Sequence, residues 1–197
     1  MTRSPTASPW TDLGCRDIFE NPWMHVVEHR VIRPDGTPGT YAVVRSKKLA
    51  IGVVPFTPAG EIVLVGQFRF PLGRYSWEIP EGGSDAGETP AETARRELKE
   101  ETGYGAGRLE PFLDLDLSNC ISDERAVGFL AWELTAGKAT PDETEELALR
   151  TVPFQAALRM VLEAKITDAI SVAAILKIAV LAQTRGLPAP LMPWVQG

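Results

Sequence analysis

The chain contains few cysteines and few histidines, the residues that form disulfides and many metal sites. Its 197 residues include two cysteines, Cys15 and Cys120, and two histidines, His25 and His29. Two cysteines are too few for a disulfide framework and lack metal-ligand spacing, so we expect a reducing, cytoplasmic setting. The histidines lie in a stretch that alternates like a strand, and we interpret them as surface or interface residues rather than ligands.

Long apolar runs and excess positive charge are also missing. No apolar run is long enough to span a bilayer, and residues 1–13 lack the apolar core of a signal peptide. The 20 Lys and Arg residues against 26 Asp and Glu residues give a net charge of −6. These properties argue against nucleic-acid and membrane partners. A hydrophobic content of 44% is sufficient for one domain with a full core, with or without a small appendage.

Glycine and acidic residues, in contrast, are concentrated in one segment near the middle of the chain. Thr89 is a good helix N-cap, Pro90 suits the first helical position and Glu92 is placed to close a capping box. Gly103 is a natural residue to end the helix. The segment therefore predicts a glycine-containing loop followed by a helix over residues 90–102.

Three carboxylates share one face of this predicted helix. Glu97, Glu100 and Glu101 are spaced i, i+3 and i+4, which places them within reach of one another. They also lie at the negative end of the helix macrodipole, where like charges are unfavourable unless a cation is present. Hard divalent cations such as Mg²⁺ and Mn²⁺ prefer oxygen ligands of this kind. The alternative is a solvated acidic helix on an ordinary domain.

The segment resembles the Nudix box. The match consists of Gly82, five intervening residues, Glu88, seven intervening residues and then Arg96–Tyr104. Every fixed position agrees except the last, where Tyr104 stands in place of the usual smaller aliphatic residue. A match with so many fixed residues is highly specific, and it favours a metal site over the solvated helix.

The order of apolar and alternating segments predicts an α/β fold. We expect strands over residues 24–33, 39–46, 49–56, 61–70, 108–114, 125–134 and 147–152, and helices over 154–164 and 167–183. Residues 1–20 have the composition of a loop, and the tail after Gly186 is expected to lie loosely on the surface. Strands mixed with helices favour a layered α/β/α sandwich with a mixed sheet. The family resemblance implies the same Nudix-type sandwich, preceded by a small antiparallel strand subdomain. It divides the chain into an N-terminal segment, 1–46, at a dimer interface and a Nudix hydrolase domain, 47–197.

The resemblance also implies roles for the residues of the box. Glu97 and Glu101 are expected to be the strongest metal ligands, with Glu100 a third that acts through a water or a second metal. A main-chain carbonyl of Glu81 or Gly82 would complete the site. The remaining fixed positions, Gly82, Glu88 and Arg96, are expected to be structural, with Glu88 and Arg96 holding the loop against the helix.

The general base is expected to be a carboxylate outside the box. Glu124 is the first candidate, because it ends an irregular stretch that resembles the loop after the box in ADP-ribose hydrolases. That loop departs from its relatives at Asn119 and Cys120, where a proline and a glycine are common. Glu145 is the second candidate, because it lies shortly before a late strand. Either could instead be a solvated surface glutamate.

Residues before the box suggest the substrate class. The stretches Gly66–Pro71 and Trp77–Gly82 resemble the ADP-ribose and nucleoside-diphosphate-sugar branch of the family. Arg69 is expected to bind a phosphate or sugar; the alternative is a strand-end arginine paired with Glu78. Trp23 and Tyr41 are similar in position to aromatic residues that stack on a nucleobase. They could instead bury apolar surface in an intersubunit sheet.

The resemblance therefore implies a hydrolase that requires Mg²⁺ or Mn²⁺ and acts as a homodimer. It would cleave the diphosphate of ADP-ribose or a related nucleoside-diphosphate sugar into a nucleoside monophosphate and a sugar phosphate. Two alternatives remain open at this point. One is a Nudix-like module that senses a nucleotide sugar without cleaving it, and the other is a hydrolase of nucleoside triphosphates or dinucleoside polyphosphates.

Overall fold

A computed structural model describes residues 7–140, 146–184 and 186–196. Its strands are β1 (Thr11–Glu20), β2 (Met24–Ile32), β3 (Pro38–Ser46), β4 (Ala50–Pro55), β5 (Glu61–Arg69), β6 (Arg74–Glu78), β7 (Glu81–Gly83), β8 (Gly105–Asp116), β9 (Arg125–Thr135) and β10 (Ala148–Pro153). Its α-helices are α1 (Pro90–Thr102), α2 (Phe154–Leu162), α3 (Ala169–Gln183) and α4 (Met192–Gln196), with short 3₁₀ turns at Phe70–Leu72 and Ala189–Leu191. None of the described helices combines the length and the apolar character needed to cross a membrane.

The chain divides into two compact units. The first unit comprises the residues up to Lys48 together with Asp116–Arg125, and the second comprises Leu49–Leu115 and the residues from Ala126 onward. The first unit contains an antiparallel sheet in the order β1-β2-β3. A turn joins β2 to β3, in which Gly36 has a positive φ of 85° and donates its N–H to the carbonyl of Arg33 at 2.9 Å.

Strand β1 corrects the expectation that residues 1–20 form a loop. It pairs with β2 along most of its length, with two irregularities in the register. All of its residues are exposed, so it lacks the alternation of buried and exposed positions that indicates a half-buried strand. Pairing with the neighbouring strand, rather than its own hydrophobic pattern, makes this segment a strand.

The second unit contains a mixed sheet and an antiparallel sheet. The mixed sheet has the order β7-β4-β9-β8, in which β4 runs parallel to β9 and antiparallel to β7. The antiparallel sheet has the order β10-β5-β6. The apolar run of β4 is almost wholly buried, as expected for a central strand covered on both faces. These sheets and helices confirm the predicted mixed α/β class.

Helix α1 is fixed to the mixed sheet by its apolar face. Ala94 and Leu98 form a buried cluster with Ile51 and Val53 of β4 and with Phe129 of β9. Because side chains at i and i+4 share a helix face, Ala94 and Leu98 face the sheet together. This packing fixes the orientation of the acidic residues that share the helix.

The C-terminal tail is bound to the second unit, so the expected loose tail is wrong. Leu187, Leu191 and Val195 are buried, and the ring of Trp194 stacks on Phe56 with centroids 6.1 Å apart. The three buried residues are spaced by four, which places them on one side of a helical segment. The prolines between them obscured this pattern in the sequence.

Candidate active site

The loop and helix of the box form as the sequence predicts. Thr89 caps α1 by accepting the N–H of Glu92 at 3.3 Å, and the carboxylate of Glu92 accepts the N–H of Thr89 at 2.8 Å. Gly103 ends the helix with a positive φ of 77° and donates its N–H to the carbonyl of Lys99 at 2.9 Å. The predicted bounds of the helix are therefore confirmed.

Arg96 joins the loop to the helix. Its guanidinium donates to both carboxylate oxygens of Glu88, at 2.8 and 3.0 Å, and to the carbonyl of Gly83 at 3.0 Å. On the helix it donates to Glu97 at 2.7 Å and to Glu100 at 3.0 Å. A bidentate arginine–carboxylate pair of this kind is stronger and more directional than a single hydrogen bond. The loop is therefore held against the helix by one side chain.

The same contacts fix the ionisation of Glu88. Hydrogen bonds from Arg96 and from the backbone of Asp85 lower the pKa of Glu88 to about 2. The neighbouring acids in turn raise the pKa of Arg96 above its ordinary value. Both groups are therefore charged at neutral pH, which suits a structural pair better than a group that exchanges protons.

Two carboxylates of the helix are buried beside the glycine loop. Glu97 is 9% exposed and Glu101 is 3% exposed, and Glu101 accepts the N–H of Glu81 at 3.1 Å. A Cβ added at Gly82 would collide with the carboxylate of Glu97. Glycine is therefore required at this position to let the loop approach the helix.

These residues match the donor chemistry that a divalent cation prefers. Buried carboxylates are costly unless they are paired with a cation or a metal. In the described part of the chain, no three His, Cys, Asp or Glu side chains already surround a common point as a metal shell. Glu97 and Glu100 are instead bonded to Arg96. The residues that would hold a metal are Glu97 and Glu101, with Glu100 as a third.

Arg69 is the centre of a second arginine–carboxylate network. It forms a bidentate ion pair with Glu78 and donates to Glu81 at 2.8 Å. The pairing of Arg69 with Glu78 is the alternative to substrate binding that the sequence left open. Glu81 is a second acidic partner of the same arginine. Burial raises the pKa of Glu81 well above its ordinary range, and the nearby charges of Asp168 and Glu78 raise it further.

No role was predicted from the sequence for the side chains of Glu81 and Asp168. Only the main-chain carbonyl of Glu81 was considered, because the resemblance to the box concerns that atom. One signal was available: Glu78 and Glu81 flank the apolar pair Ile79-Pro80, and acids next to buried residues often have a cationic partner.

The loop that carries Glu124 is attached to β3 within the first unit. Asp123 accepts hydrogen bonds from Arg45 at 3.0 Å and from the N–H of Ser46 at 2.9 Å. The backbone of Val44 also bonds to the loop, at Ile121 and Asp123. Glu124 itself is half-buried, and its N–H donates to Ser122. The second candidate base, Glu145, lies outside the described residues.

The two predicted stacking residues differ in their surroundings within the first unit. Trp23 is 66% exposed. Tyr41 donates its hydroxyl to the carbonyl of Cys120 at 2.5 Å and meets Trp10 edge-to-face, with ring centroids 5.3 Å apart. Trp10 was not among the residues that the sequence indicated as stacking candidates. His25 and His29 are bonded to Asp17 and Asp12 respectively, at 2.8 and 3.0 Å.

Comparisons with known proteins match both parts of the chain. The model of the NUDIX domain matches residues 46–173, and that of the nucleoside diphosphate sugar hydrolase N-terminal domain matches residues 10–44. An ADP-ribose pyrophosphatase of Bacillus subtilis is 36% identical over 77% of this chain and 83% of that protein. One from Mycobacterium tuberculosis is 37% identical over 72% of this chain and 69% of that protein.

The fold has a close counterpart among solved structures. A crystal structure of an ADP compounds hydrolase superposes with a TM-score of 0.82, covering 93% of this chain and 99% of that one. The two chains are 21% identical, so this likeness concerns the fold.

Proposed function

The chain belongs to the Nudix family, and we propose that it hydrolyses the diphosphate of ADP-ribose or a related nucleoside-diphosphate sugar. The products would be a nucleoside monophosphate and a sugar phosphate. The observation that carries the proposal is the pair of buried carboxylates, Glu97 and Glu101, held on α1 beside the glycine loop. The names of the relatives and the match of the N-terminal segment support the substrate class.

Nudix hydrolases generally use a divalent metal, and we propose Mg²⁺ or Mn²⁺ for this chain. Glu97, Glu101 and Glu100, with a main-chain carbonyl of Glu81 or Gly82, would hold it. When bound, the metal supplies charge neutralisation at the phosphate oxygens and lowers the pKa of the attacking water. The chain contributes a fixed donor set, because Arg96 orients the acidic face of the helix toward the loop.

The hydrolytic step needs an acceptor for the proton of the attacking water. We assign this role to Glu124 first and to Glu145 second. In the step, a water oxygen bonds to one phosphorus while the bond from that phosphorus to the bridging oxygen breaks. The water proton passes to the carboxylate, and the second phosphate leaves with its bridging oxygen. To act as the base, Glu124 must lie within hydrogen-bond reach of the attacking water.

Substrate contacts are proposed at Arg69, Trp23 and Tyr41. Arg69 would offer guanidinium donors to a phosphate or sugar, as its fork geometry permits. Trp23 is exposed and therefore accessible to a base, which favours stacking over a buried structural role. Tyr41 would contribute an aromatic edge or face from the neighbouring strand β3.

A homodimer is proposed because the first unit has an exposed edge strand, β1, which pairs with β2 on one side only. Strand β1 lies at the edge of its sheet, and its apolar residues Leu13, Ile18 and Phe19 are at least half exposed. Such an edge is a ready template for another chain. Light scattering coupled to gel filtration measures the mass in solution. We also propose a cytoplasmic location, consistent with the exposed free thiols of Cys15 and Cys120.

The function is tested by product analysis across a substrate panel. The purified chain is incubated with Mg²⁺ or Mn²⁺ and with ADP-ribose, ADP-glucose, GDP-mannose, a nucleoside triphosphate or a dinucleoside polyphosphate. We expect nucleoside monophosphate and sugar phosphate from at least one sugar diphosphate, at a higher kcat/KM than for the other two classes. Absence of turnover with every sugar diphosphate rejects the proposal. Tight binding by calorimetry without product would instead favour a sensor.

A further inference from the structure

A small polar cavity lies beside the box and has no part in the hydrolytic step described above. It encloses about 300 Å³ within the second unit. Its polar lining comes from the end of β5, from β6, from the start of β7 and from the segment that leads into α3. The residues that matter are Arg69, Arg74, Ser76, Glu81, Thr167 and Asp168.

One buried oxygen in this cavity has no protein donor. Oε1 of Glu81 accepts from Arg69, whereas Oε2 is buried and is reached by no hydrogen-bond donor among the described residues. Buried polar atoms are almost always hydrogen-bonded, and an exception needs an explanation. A ligand that carries a donor group would satisfy Oε2.

The other polar groups of the lining include both hydrogen-bond donors and hydrogen-bond acceptors. Arg69 uses Nε and Nη2 for Glu78 and Glu81, so its contacts to these acids involve only one edge of the guanidinium. Arg74 donates to the hydroxyl of Thr167 at 3.1 Å at the exposed mouth. Asp168 caps α3 by accepting the N–H of Ser171 at 2.7 Å. Vicinal hydroxyls, each both a donor and an acceptor, match such a lining.

The size and charge of the cavity exclude two other ligand classes. Its volume is at the small end of the range for small-molecule sites, and no aromatic residue in the described part of the chain lines it, which disfavours a nucleobase. Three carboxylates, Glu78, Glu81 and Asp168, stand against the two arginines. The lining therefore has no excess of positive charge to attract a free phosphate.

The cavity is connected to the proposed metal site through Glu81. Its N–H donates to Glu101 at 3.1 Å, whereas its side chain lines the cavity. Glu81 is therefore shared by the cavity and the proposed metal site. We infer that this cavity binds the sugar of the nucleotide-sugar substrate, with Glu81, Arg74 and Thr167 contacting its hydroxyls. This inference rests on the proposed function.

The test uses two variants at the mouth of the cavity. Arg74→Gln removes a guanidinium donor and Thr167→Val removes a hydroxyl, both at exposed positions. The matched control is Thr184→Val, which removes a hydroxyl at the C-terminal end of α3. Thermal unfolding checks that each variant is folded. Kinetics with ADP-ribose and ADP-glucose should show KM raised by about three- to tenfold in both cavity variants, with kcat within about twofold. The ratio of kcat/KM between the two sugars should also change, and the control should match the wild type.

Binding measurements separate this inference from the proposed function. Ribose 5-phosphate is titrated into the wild type and into Arg74→Gln, followed by NMR. If no sugar diphosphate is hydrolysed but the wild type binds ribose 5-phosphate more tightly than the variant, the function fails and the inference stands. If hydrolysis occurs and both cavity variants keep the wild-type KM and sugar ratio, the inference is overturned. A crystal structure with only water on Oε2 and the sugar elsewhere would also overturn it.

Discussion

Two arginines in the second unit lie among carboxylates, and the two networks differ in their access to water. Arg96 contacts Glu88, Glu97 and Glu100, whose side chains are 23%, 12% and 39% exposed. Arg69 contacts Glu78 and Glu81, whose side chains are 3% and 14% exposed. The pairs use the same chemistry, so the contrast between them reports the effect of burial.

Burial changes the electrostatic role of each network. Next to water, the hydrogen bonds from Arg96 dominate and the pKa of Glu88 falls. In the interior, desolvation dominates and the pKa of Glu81 rises even though Arg69 is nearby. The Arg96 network therefore acts as a stable clamp on the loop. The Arg69 network instead places next to Glu101 a carboxyl group that holds its proton more tightly than usual.

The largest expected effect comes from replacing Glu101, the buried carboxylate on α1 that accepts the N–H of Glu81. Glu101→Gln should lower kcat for ADP-ribose by on the order of 10³-fold, because a metal ligand supports several kcal/mol of transition-state charge stabilisation. Folding should remain nearly intact, because glutamine keeps the shape of the side chain. Steady-state kinetics with Mg²⁺ and thermal unfolding measure the two quantities.

Two glutamates serve as comparisons for this variant. Glu145→Gln should lose far less turnover than Glu101→Gln, and Glu110→Gln, on an exposed position of β8, should lose none. Equal and small losses in Glu101→Gln and Glu145→Gln would show that the ligand assignment is wrong.

The second-largest expected effect is on stability, and it tests the difference in burial between the Arg69 and Arg96 networks. Arg69→Met leaves Glu78 buried without its cation, and removing one partner of a buried pair typically costs about 3–5 kcal/mol. Arg96→Met should cost less, because two of the three acids that it leaves behind, Glu88 and Glu100, are partly in water and only Glu97 is buried. Urea unfolding of the metal-free chain measures both. The comparison fails if Arg96→Met destabilises the fold as much as Arg69→Met.

The structure of the box could be predicted from the sequence because the residues that determine it lie close together in the chain. The bounds of α1 follow from Thr89, Pro90, Glu92 and Gly103, all within or next to the helix. The spacing of the three acids then dictates their common face. The tight approach of Gly82 to Glu97 is likewise a short-range requirement. Capping residues and helical geometry were therefore sufficient to predict the bounds of α1 and the face that carries its acids.

The features that sequence reasoning missed depend on distant parts of the chain. Strand β1 becomes a strand only through pairing with β2, and Leu191 is buried only because the core of the second unit accepts it. The side chain of Glu81 gains its role from Arg69 and from Asp168, which is far along the sequence. Such partners have no signature in the local pattern, because tertiary packing decides them.

The pH dependence of stability should have opposite signs in the two networks. The pKa of Glu88 is lowered to about 2 in the folded chain, so its stabilising contribution is present above its ordinary pKa and is lost as the pH falls toward 2. The pKa of Glu81 is raised, so the folded chain binds its proton more tightly than the unfolded chain does. Its contribution is therefore full below the ordinary pKa of 4.5 and declines as the pH rises above it.

Two glutamine variants check these signs in the presence of a chelator. The stability deficit of Glu88→Gln relative to the wild type should shrink as the pH falls below about 4.5. Glu81→Gln should gain stability relative to the wild type as the pH rises from the same point. Urea midpoints across the pH range, with Glu110→Gln as the neutral reference, measure both. Parallel trends in the two variants would contradict the assigned role of burial.

The smallest expected effect concerns the start of α1, the helix that carries Arg96. Thr89→Ala removes the side-chain acceptor of the Glu92 N–H, which should cost about 1 kcal/mol of unfolding free energy. Thr140→Ala, at an exposed position, is the matched control and should cost less than half as much. Because Arg96 and Glu88 bind each other directly, the helix should stay docked and kcat should change less than about twofold. A large fall in kcat would mean that the clamp does not hold the loop independently of the cap.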